Sequence, residues 1–268
     1  MTPTVPSTDP HIVGRIEAPI GWLIIDNPVR RNAVSLSMWK AIPAVVKELD
    51  QHPDVRVIII RGAGDAAFVA GADISEFAET RKDAASALAY EEANAAAYAA
   101  LRHAVKPTIA MIKGFCMGGG MGLAVAADLR FAADDAVFSI PAARLGVGYP
   151  PDGIRDVVKL IGPSRAKDLF FTARRVHHEE ALALGLVDRV IFALDLEAET
   201  RAVAETIAEN APLTHISAKA AIDAVAGDPA AADWEHVRAM TNICFDSADF
   251  AEGRTAFMEK RKPVFEGK

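Results

Sequence analysis

The chain has 268 residues, of which 51% are hydrophobic and 24% charged, and its formal net charge is −7. These totals predict one sizeable globular domain, or one domain with a small appendage, and the negative charge argues against nucleic acid as a partner. The two cysteines argue against a disulfide framework and indicate a reducing compartment. The opening residues lack the features of a secretion signal, and no apolar run reaches the length of a membrane span. We therefore expect a cytoplasmic protein that does not bind membranes.

Strands and helices alternate in the first hundred residues. Residues 12–18 and 22–26 alternate in hydropathy around a Pro-Ile-Gly turn, which predicts a β-hairpin. Ser35 is placed to cap a helix, because apolar residues recur at helical spacing directly after it. Residues 55–61 (VRVIIIR) are almost continuously apolar, as is typical of a strand buried on both faces. An Ala-rich helical segment follows over residues 83–105.

The stretch 106–128 (KPTIAMIKGFCMGGGMGLAVAAD) is the most informative in the chain. A β-branched, apolar run leads through four glycines into an Ala-rich helix. The N–H groups at the start of such a helix lie at the positive end of the helix dipole, which favours an anion or a developing oxyanion. The stretch contains neither the dinucleotide pattern G-x-G-x-x-G nor a phosphate-binding G-K-S/T. An oxyanion site is one interpretation, and close packing of helix against strand is the other.

The second half of the chain becomes increasingly helical. Two short strands are followed by a predicted loop over residues 141–153 and by a short helix that Gly162-Pro163 ends. From residue 194 the pattern is helical to the C-terminus. We therefore predict an α/β core over residues 1–205 and a helical C-terminal module over residues 206–268.

Several segments resemble those of the crotonase superfamily, that is, enoyl-CoA hydratases, isomerases and their relatives. The matching segments are residues 68–74 (FVAGADI), 114–123 (GFCMGGGMGL), 127–138 (ADLRFAADDAVF), 143–146 (ARLG) and 257–263 (FMEKRKP). The resemblance covers nearly the whole chain. It implies an α/β fold, with a spiral of ββα units and a C-terminal α-helical trimerisation module, and an acyl-CoA substrate bound by a homotrimer or a dimer of trimers. A fold alone does not establish the reaction.

The resemblance also implies which residues form the site. The thioester oxygen is expected between the backbone N–H groups of Ala72 and Gly119, where two fixed donors stabilise the charge of an enolate. The positions that line the CoA site of the family correspond to Arg30, Ala33, Ala70, Asp73, Ile74 and Lys260. Arg30 and Lys260 are open to a second interpretation as solvated surface charges, and Asp73 to one as a turn or cap residue.

The acid–base residues of hydratases are missing from the pattern. The resemblance places two carboxylates, one just after the triple glycine and one just after Pro141, but Gly122 and Ala142 occupy these positions. Isomerases that keep only the second carboxylate lose their base through the same Ala142. The acid of dienoyl-CoA isomerases corresponds to Pro150. A standard hydratase or isomerase mechanism is therefore in doubt.

Tyr149 and Asp152 are the candidate polar residues nearby. Tyr149 lines up with a tyrosine of methylmalonyl-CoA decarboxylase, another branch of the superfamily, although Ala72 and Gly122 replace that enzyme's histidine and glutamate. Loss of CO₂ from a 2-carboxyacyl thioester forms an enolate without a base, so decarboxylase-like chemistry is preferred. Tyr149 could instead be an aromatic residue of the pocket wall. Asp152 could be an N-cap rather than an acid or base.

Three functions stay open at this point. The preferred one is an acyl-CoA lyase with decarboxylase-like chemistry. The others are an enoyl-CoA hydratase or isomerase with relocated acid–base residues, and a non-catalytic CoA-binding oligomer. No cofactor is expected beyond the CoA moiety of the substrate. No metal is expected either, because the adjacent residues 177–180 (HHEE) at a helix start point in different directions.

Overall fold

The computed structural model describes residues 3–149 and 151–268. The strands within these ranges are β1 (Thr4–Val5), β2 (Ile12–Glu17), β3 (Ile20–Ile25), β4 (Val57–Gly62), β5 (Ala67–Val69), β6 (Thr108–Ile112), β7 (Phe115–Met117), β8 (Leu129–Ala133), β9 (Val137–Ser139), β10 (Val176–His177) and β11 (Arg189–Ile191). The α-helices are α1 (Leu36–Gln51), α2 (Phe77–Thr80), α3 (Ala84–Arg102), α4 (Gly119–Ala126), α5 (Ala142–Leu145), α6 (Pro151–Thr172), α7 (His178–Leu184), α8 (Leu196–Glu209), α9 (Pro212–Ala226), α10 (Trp234–Asp246) and α11 (Ala248–Glu259). Single 3-10 turns cover Pro28–Arg30 and Ile74–Glu76.

The strands form two sheets. The larger sheet has the order β1-β2-β3-β4-β6-β8-β11, with β1 to β3 antiparallel, as the predicted hairpin requires, and the remaining pairs parallel. The smaller sheet has the order β10-β9-β7-β5, with β5, β7 and β9 parallel. Each of β4, β6 and β8 leads to a strand of the smaller sheet and then to helical structure. This repeat is the predicted spiral of ββα units.

Strand β4 shows why the apolar run at residues 55–61 forms a buried strand. Ile58 and Ile60 belong to the core cluster that includes residues of α1 and α3. Val57 and Ile59 belong to a second cluster, on the opposite face of the sheet, that includes residues of α8. Successive side chains of a strand point to opposite faces, so a strand covered on both faces needs apolar residues at nearly every position.

Helix α1 confirms the predicted cap and apolar face. The Ser35 side chain accepts a hydrogen bond from the Met38 amide at 3.3 Å. Trp39 and Ile42 are fully buried against the sheet, and Pro43 lies inside the helix. The cap satisfies an N–H group that would otherwise be unpaired, and the buried face fixes the helix on the sheet.

The loop predicted over residues 141–153 is partly helical, so that prediction is wrong in part. It contains α5 and the start of α6, and Asp152 lies in the first turn of α6 rather than at an N-cap. Proline suits the first position of a helix, because its φ is already helical and the missing N–H would be unpaired there, so α6 can begin at Pro151. Gly162 departs from helical geometry and kinks α6 at the predicted stop. Pro150 lies outside the described residues.

The C-terminal region differs from the prediction at its end. Helix α11 ends at Glu259, and the remaining residues form an irregular tail whose Lys268 carbonyl accepts a hydrogen bond from the Ala248 amide at 2.7 Å. Residue 205, the predicted boundary, lies inside α8, which packs on the larger sheet. The division into a core and a C-terminal module stays a prediction. No helix of the described ranges is long and apolar enough to cross a membrane.

Candidate active site

The site begins at the ends of two neighbouring strands. Strands β5 and β7 are parallel, and Val69 pairs with Cys116. Ala72 and Gly119 each lie three residues beyond this pair, so the two backbones leave the smaller sheet at the same edge. A Cβ atom built on Gly118 would lie 4.0 Å from the Cα atom of Gly71, which shows how closely the two backbones pass. The fold therefore brings together the two segments that the sequence predicted for an oxyanion site.

The amides of Ala72 and Gly119 have no hydrogen-bond acceptor among residues 3–149 and 151–268. Gly119 is the first residue of α4, so its N–H group lies at the positive end of the helix dipole. Gly118 precedes it with a φ of 50°, in the region that favours glycine. Two unpaired N–H donors at one sheet edge, one of them at a helix start, can stabilise a developing negative charge on oxygen.

A cavity of about 100 Å³ lies beside these two segments. Its lining comes from the ends of β5 and β7, from the helices α2 and α3, and from the segment that joins β9 to α6. The polar side chains of this lining are Arg81, Glu91, Asn94, Tyr98 and Tyr149. Glu91 supplies the single carboxylate among the described lining residues. The cavity can therefore hold an acyl group next to the two amides.

Tyr149 lines the cavity, close to the start of α4. Its hydroxyl lies 3.6 Å from the place that a Cβ atom on Gly118 would take. The ring packs edge-to-face against Phe170, with 5.3 Å between ring centroids. Burial, followed by the charge of Glu91, raises the pKa of the Tyr149 phenol. The phenol therefore stays protonated at neutral pH and acts as a hydrogen-bond donor rather than as a base.

Tyr98 fills the space beside Gly122. A Cβ atom on Gly122 would lie 2.6 Å from the Tyr98 hydroxyl oxygen and 2.7 Å from its Cε1, closer than packed atoms come. The Tyr98 hydroxyl donates to the Gly119 carbonyl at 3.4 Å, and burial raises the pKa of this phenol well above its usual value. A side chain at position 122 fits only if Tyr98 moves. The place where the family pattern puts a carboxylate is thus taken by a phenol from α3.

The sequence did not predict three polar residues of the cavity lining, namely Arg81 at the end of α2 and Glu91 and Asn94 on α3. Arg81 pairs with Glu91 at 2.5 Å, and the Asn94 side chain donates to Glu91 at 3.4 Å. Burial raises the pKa of the Glu91 carboxyl and outweighs the opposing effect of Arg81. A signal was present in the sequence. Glu91, Asn94 and Tyr98 follow one another at intervals of three and four, which places them on one face of the Ala-rich helix.

Five of the six residues predicted to contact CoA lie on two adjacent segments. They are Arg30, Ala33, Ala70, Asp73 and Ile74. The segments are joined by backbone bonds, among them the Asp73 amide to the Val34 carbonyl at 2.9 Å. Arg30 pairs with Asp73 at 2.6 Å, and Ile74 is 65% exposed.

The Asp73 side chain makes local contacts that set its charge. It caps the 3-10 turn by accepting from the Ser75 amide at 3.0 Å, which confirms its interpretation as a cap residue. Burial opposes ionisation, but the hydrogen bonds from Ser75 and from Arg30 outweigh it and lower the pKa of Asp73. Asp73 is therefore a carboxylate that holds Arg30 in place at neutral pH.

Lys260 and Asp152 are not among the described residues that line the cavity. Lys260 is exposed at the C-cap of α11, with a φ of 56°. The Asp152 side chain is 61% exposed and pairs with Arg155 at 3.1 Å. The structure thus gives Asp152 a surface ion pair, because the first turn of α6 directs it to solvent, and it does not bring this carboxylate into the cavity.

No group of three or more His, Cys, Asp or Glu side chains in the described ranges is placed to hold a metal ion. The HHEE segment begins α7 with His178, as an acidic first turn was predicted to do. Glu180 of this segment pairs with Arg174 at 2.6 Å. The two glutamates of this segment are therefore explained as the acidic first turn of α7.

Comparison with known proteins decides the family. A model described as enoyl-CoA hydratase/isomerase matches residues 15–268. The chain belongs to the enoyl-CoA hydratase/isomerase family. It is 37% identical to a Mycobacterium leprae protein named probable enoyl-CoA hydratase. The alignment of 247 residues covers 92% of this chain and 94% of that protein. The chain is 32% identical over 259 residues to the crotonyl-CoA hydratase of Syntrophomonas wolfei, covering 95% of this chain and 97% of that protein.

Solved structures of the enoyl-CoA hydratase/isomerase family have the same fold. The crystal structure of an enoyl-CoA hydratase/carnithine racemase from Magnetospirillum magneticum superposes with a TM-score of 0.91 at 33% identity, covering 98% of this chain and 97% of that chain. The likeness confirms the predicted fold class and the resemblance drawn from the motifs. The local similarity to methylmalonyl-CoA decarboxylase stays a prediction, as does the trimerisation role of the C-terminal helices.

Proposed function

We propose that this chain acts on an acyl-CoA thioester by forming an enolate whose oxygen is bound by the Ala72 and Gly119 amides. The observation that carries the proposal is the pair of backbone N–H groups without acceptors in the described ranges, at the ends of adjacent parallel strands. Negative charge on a thioester oxygen is what two fixed N–H donors stabilise best. The family supports the substrate class, since its members are named as enoyl-CoA hydratases and isomerases.

Loss of CO₂ from a 2-carboxyacyl thioester is the preferred reaction. The bond between C2 and the carboxylate carbon breaks, its electron pair moves into the enolate, and a proton from water then adds to C2. This route needs no base to form the enolate. Positions 122 and 142 supply no carboxylate, because they are Gly122 and Ala142, and Tyr98 fills the space at the first. A protonated Tyr149 can hold the leaving carboxylate by donating to it.

The test is a panel of thioesters followed by product mass. Malonyl-CoA and methylmalonyl-CoA should lose CO₂, whereas crotonyl-CoA and a β,γ-enoyl-CoA should stay unchanged. Ala72→Pro removes the N–H donor at position 72 and should lower the rate roughly a hundredfold to a thousandfold. Ala72→Gly keeps this N–H and is the matched control, so its loss should be much smaller.

Three results would count against the proposal. Equal rates for Ala72→Pro and Ala72→Gly would remove the oxyanion role of this amide. Hydration of crotonyl-CoA at an ordinary rate would replace decarboxylation by the second candidate function. Binding of CoA thioesters without turnover of any of them would favour the non-catalytic CoA-binding oligomer.

The second candidate is an enoyl-CoA hydratase or isomerase whose acid–base residue is Glu91. Glu91 is the carboxylate of the described cavity lining, and burial raises the pKa of its carboxyl group, a shift in the direction that suits general acid–base catalysis. A Glu91→Gln variant separates the two functions. It should abolish hydration if Glu91 transfers the proton, and it should leave most of the decarboxylation rate if no base is needed.

The remaining parts of the proposal concern CoA and assembly. Arg30, held by Asp73, is half-exposed beside Ala70 and Ala33 and can pair with a phosphate of CoA. Lys260 would join this site only from a neighbouring subunit or after a change in position.

The homotrimer or dimer of trimers is supported by exposed apolar side chains of α11, such as those of Phe257 and Met258. A cytoplasmic location stays an expectation from the sequence.

A further inference from the structure

Arg81, Glu91 and Asn94 form a polar cluster in the wall of an otherwise largely apolar cavity. Glu91 is at its centre, with one carboxylate oxygen 2.5 Å from Arg81 Nη2 and the other 3.4 Å from Asn94 Nδ2. The Arg81 guanidinium also lies over the rings of Phe77 and Tyr90, at 4.6 and 4.3 Å from their centroids. These contacts fix the cluster, because a stacked and paired guanidinium has few alternative positions.

Two atoms of this cluster are buried without a partner. Asn94 is 6% exposed, and its Oδ1 accepts no hydrogen bond from residues 3–149 and 151–268. Arg81 Nε likewise donates to no acceptor within these ranges. Buried polar atoms are rarely left unpaired, because each one has lost its hydrogen bonds to water. Both side chains line the cavity and contact Glu91 through their other nitrogen atoms. One free acceptor and one free donor in this wall indicate a ligand that supplies a partner to each.

The chemistry of that ligand follows from what the cluster offers. A carboxylate would face the negative charge of Glu91 and the free Oδ1 acceptor of Asn94, so an anion is disfavoured. An ammonium group has no lone pair to accept from Arg81 Nε. An apolar chain end would leave both atoms unpaired. A hydroxyl group can donate to Asn94 and accept from Arg81.

We propose that Asn94 and Arg81 recognise a hydroxyl group carried by the acyl chain, at a position remote from the thioester. The proposal deepens the proposed function and depends on it, since it names the substrate class of the same cavity as hydroxyacyl-CoA thioesters. Sites that pair a substrate hydroxyl discriminate against the analogue without it, because the polar atoms of the site are then left unsatisfied.

The test measures binding by calorimetry with fresh thioesters on which neither candidate reaction can act. The pairs are 4-hydroxybutyryl-CoA with butyryl-CoA, 5-hydroxyvaleryl-CoA with valeryl-CoA, and 6-hydroxyhexanoyl-CoA with hexanoyl-CoA. None carries a 2-carboxylate, a double bond or a 3-hydroxyl, so none is a substrate for decarboxylation, hydration or dehydration. At one chain length the hydroxylated thioester should bind at least about tenfold more tightly than its partner.

Variants assign this preference to the two side chains. Asn94→Leu has a similar volume without Oδ1 and should remove the preference for the hydroxyl. The variant also removes the Nδ2 donor that contacts Glu91 at 3.4 Å, so its thermal midpoint is measured beside that of the parent to show that it is folded. Arg81→Lys keeps a cation beside Glu91 but lacks Nε, and it should reduce the preference. The control is Asn242→Leu on α10, at an exposed position, which should leave the preference intact.

The outcomes are distinct. Equal affinity of both members at all three lengths would overturn the inference while leaving the proposed function standing, since CoA thioesters would still bind. A full preference in Asn94→Leu would overturn the assignment to Asn94. Failure of all six thioesters to bind would overturn the proposed function, and the inference would fall with it.

Discussion

Tyr98 packs against the face of α4 where Gly122 lies, and this contact shapes the cavity wall. The hydroxyl is tied to the Gly119 carbonyl, and the ring contacts Trp39 edge-to-face at 5.7 Å between centroids. The side chain is 6% exposed, so it cannot turn to solvent without disturbing α1 and α3. The Tyr98 side chain can occupy this position only because residue 122 is a glycine, and it leaves no room for a larger residue there.

At the scale of single residues, the first prediction concerns Gly122→Ala. Alanine in place of glycine normally stabilises a helix interior by about 1 kcal/mol. Here the new Cβ would lie 2.6 Å from the Tyr98 hydroxyl oxygen, so we expect a net loss of about 1–3 kcal/mol in the free energy of unfolding. Urea denaturation measures it. Gly148→Ala is the control, since no atom of the described residues, its chain neighbours aside, lies within 4 Å of its built Cβ. It should change stability by less than about 0.5 kcal/mol.

A double variant tests the cause of this loss. Tyr98→Leu removes the ring and hydroxyl that the alanine would meet. The loss caused by Gly122→Ala should then be much smaller in the Tyr98→Leu background than in the parent. Additive losses in the two backgrounds would show that the contact with Tyr98 is not the reason.

At the scale of elements, the packing of α1 against α3 positions the polar side of the cavity. Trp39 of α1 donates from Nε1 to the Tyr90 hydroxyl at 3.0 Å, and Tyr90 in turn lies against Arg81. Near its other end, α3 is tied to α6 through the ion pair of Arg102 with Asp156. Helix α3 is therefore held at both ends, and the residues between them face the cavity from a fixed support.

The prediction at this scale is the effect of Trp39→Phe. The variant leaves the Tyr90 hydroxyl without its donor and opens a small cavity between α1 and α3. We expect a loss of about 2 kcal/mol in the free energy of unfolding, measured by urea denaturation. Trp234→Phe is the matched control on α10, because this tryptophan is 37% exposed, and it should cost less than about 1 kcal/mol. Equal losses would contradict the role of the α1–α3 contact.

At the scale of the whole molecule, the three tyrosines of the chain are all placed in or beside the cavity wall. Burial raises the pKa of each phenol, and that of Tyr90 to about 12. In the unfolded chain they ionise near pH 10. The unfolded state therefore loses these protons first as the pH rises. The contribution of the three phenols to the free energy of unfolding is fully present below about pH 10. It is lost as the pH rises from 10 to 12.

The resulting prediction is a delayed tyrosine titration. Absorbance at 295 nm should stay flat in the folded protein to about pH 11 and then rise together with unfolding. Tyr90 alone contributes up to about 3 kcal/mol to this pH dependence. The control is the same titration in concentrated urea, where the rise should centre near pH 10. A rise near pH 10 while circular dichroism still shows the folded state would contradict the burial of these phenols.

The sequence by itself determined the fold and predicted the backbone half of the candidate site. The apolar run at residues 55–61 and the glycine-rich stretch at residues 114–123 predicted the buried strand and the strand–helix turn, because both depend on local patterns of burial and backbone geometry. The amides of Ala72 and Gly119 could be named in advance through the resemblance, since their N–H groups belong to the backbone and do not depend on side-chain packing.

Only the tertiary structure decided which side chains share the cavity. The sequence predicted an Ala-rich helix over residues 83–105, and nothing in the order of the residues showed that Arg81 and Glu91 would form an ion pair. Their pairing depends on how the end of α2 lies against α3, and the packing of α3 against α1 and α4 sets which face of α3 is turned to the cavity. Asp152 failed as a cavity residue for the same reason, because the start of α6 sets its direction. The sequence therefore predicted an oxyanion site at the backbone, and the packing of α3 determined the polar groups that surround it.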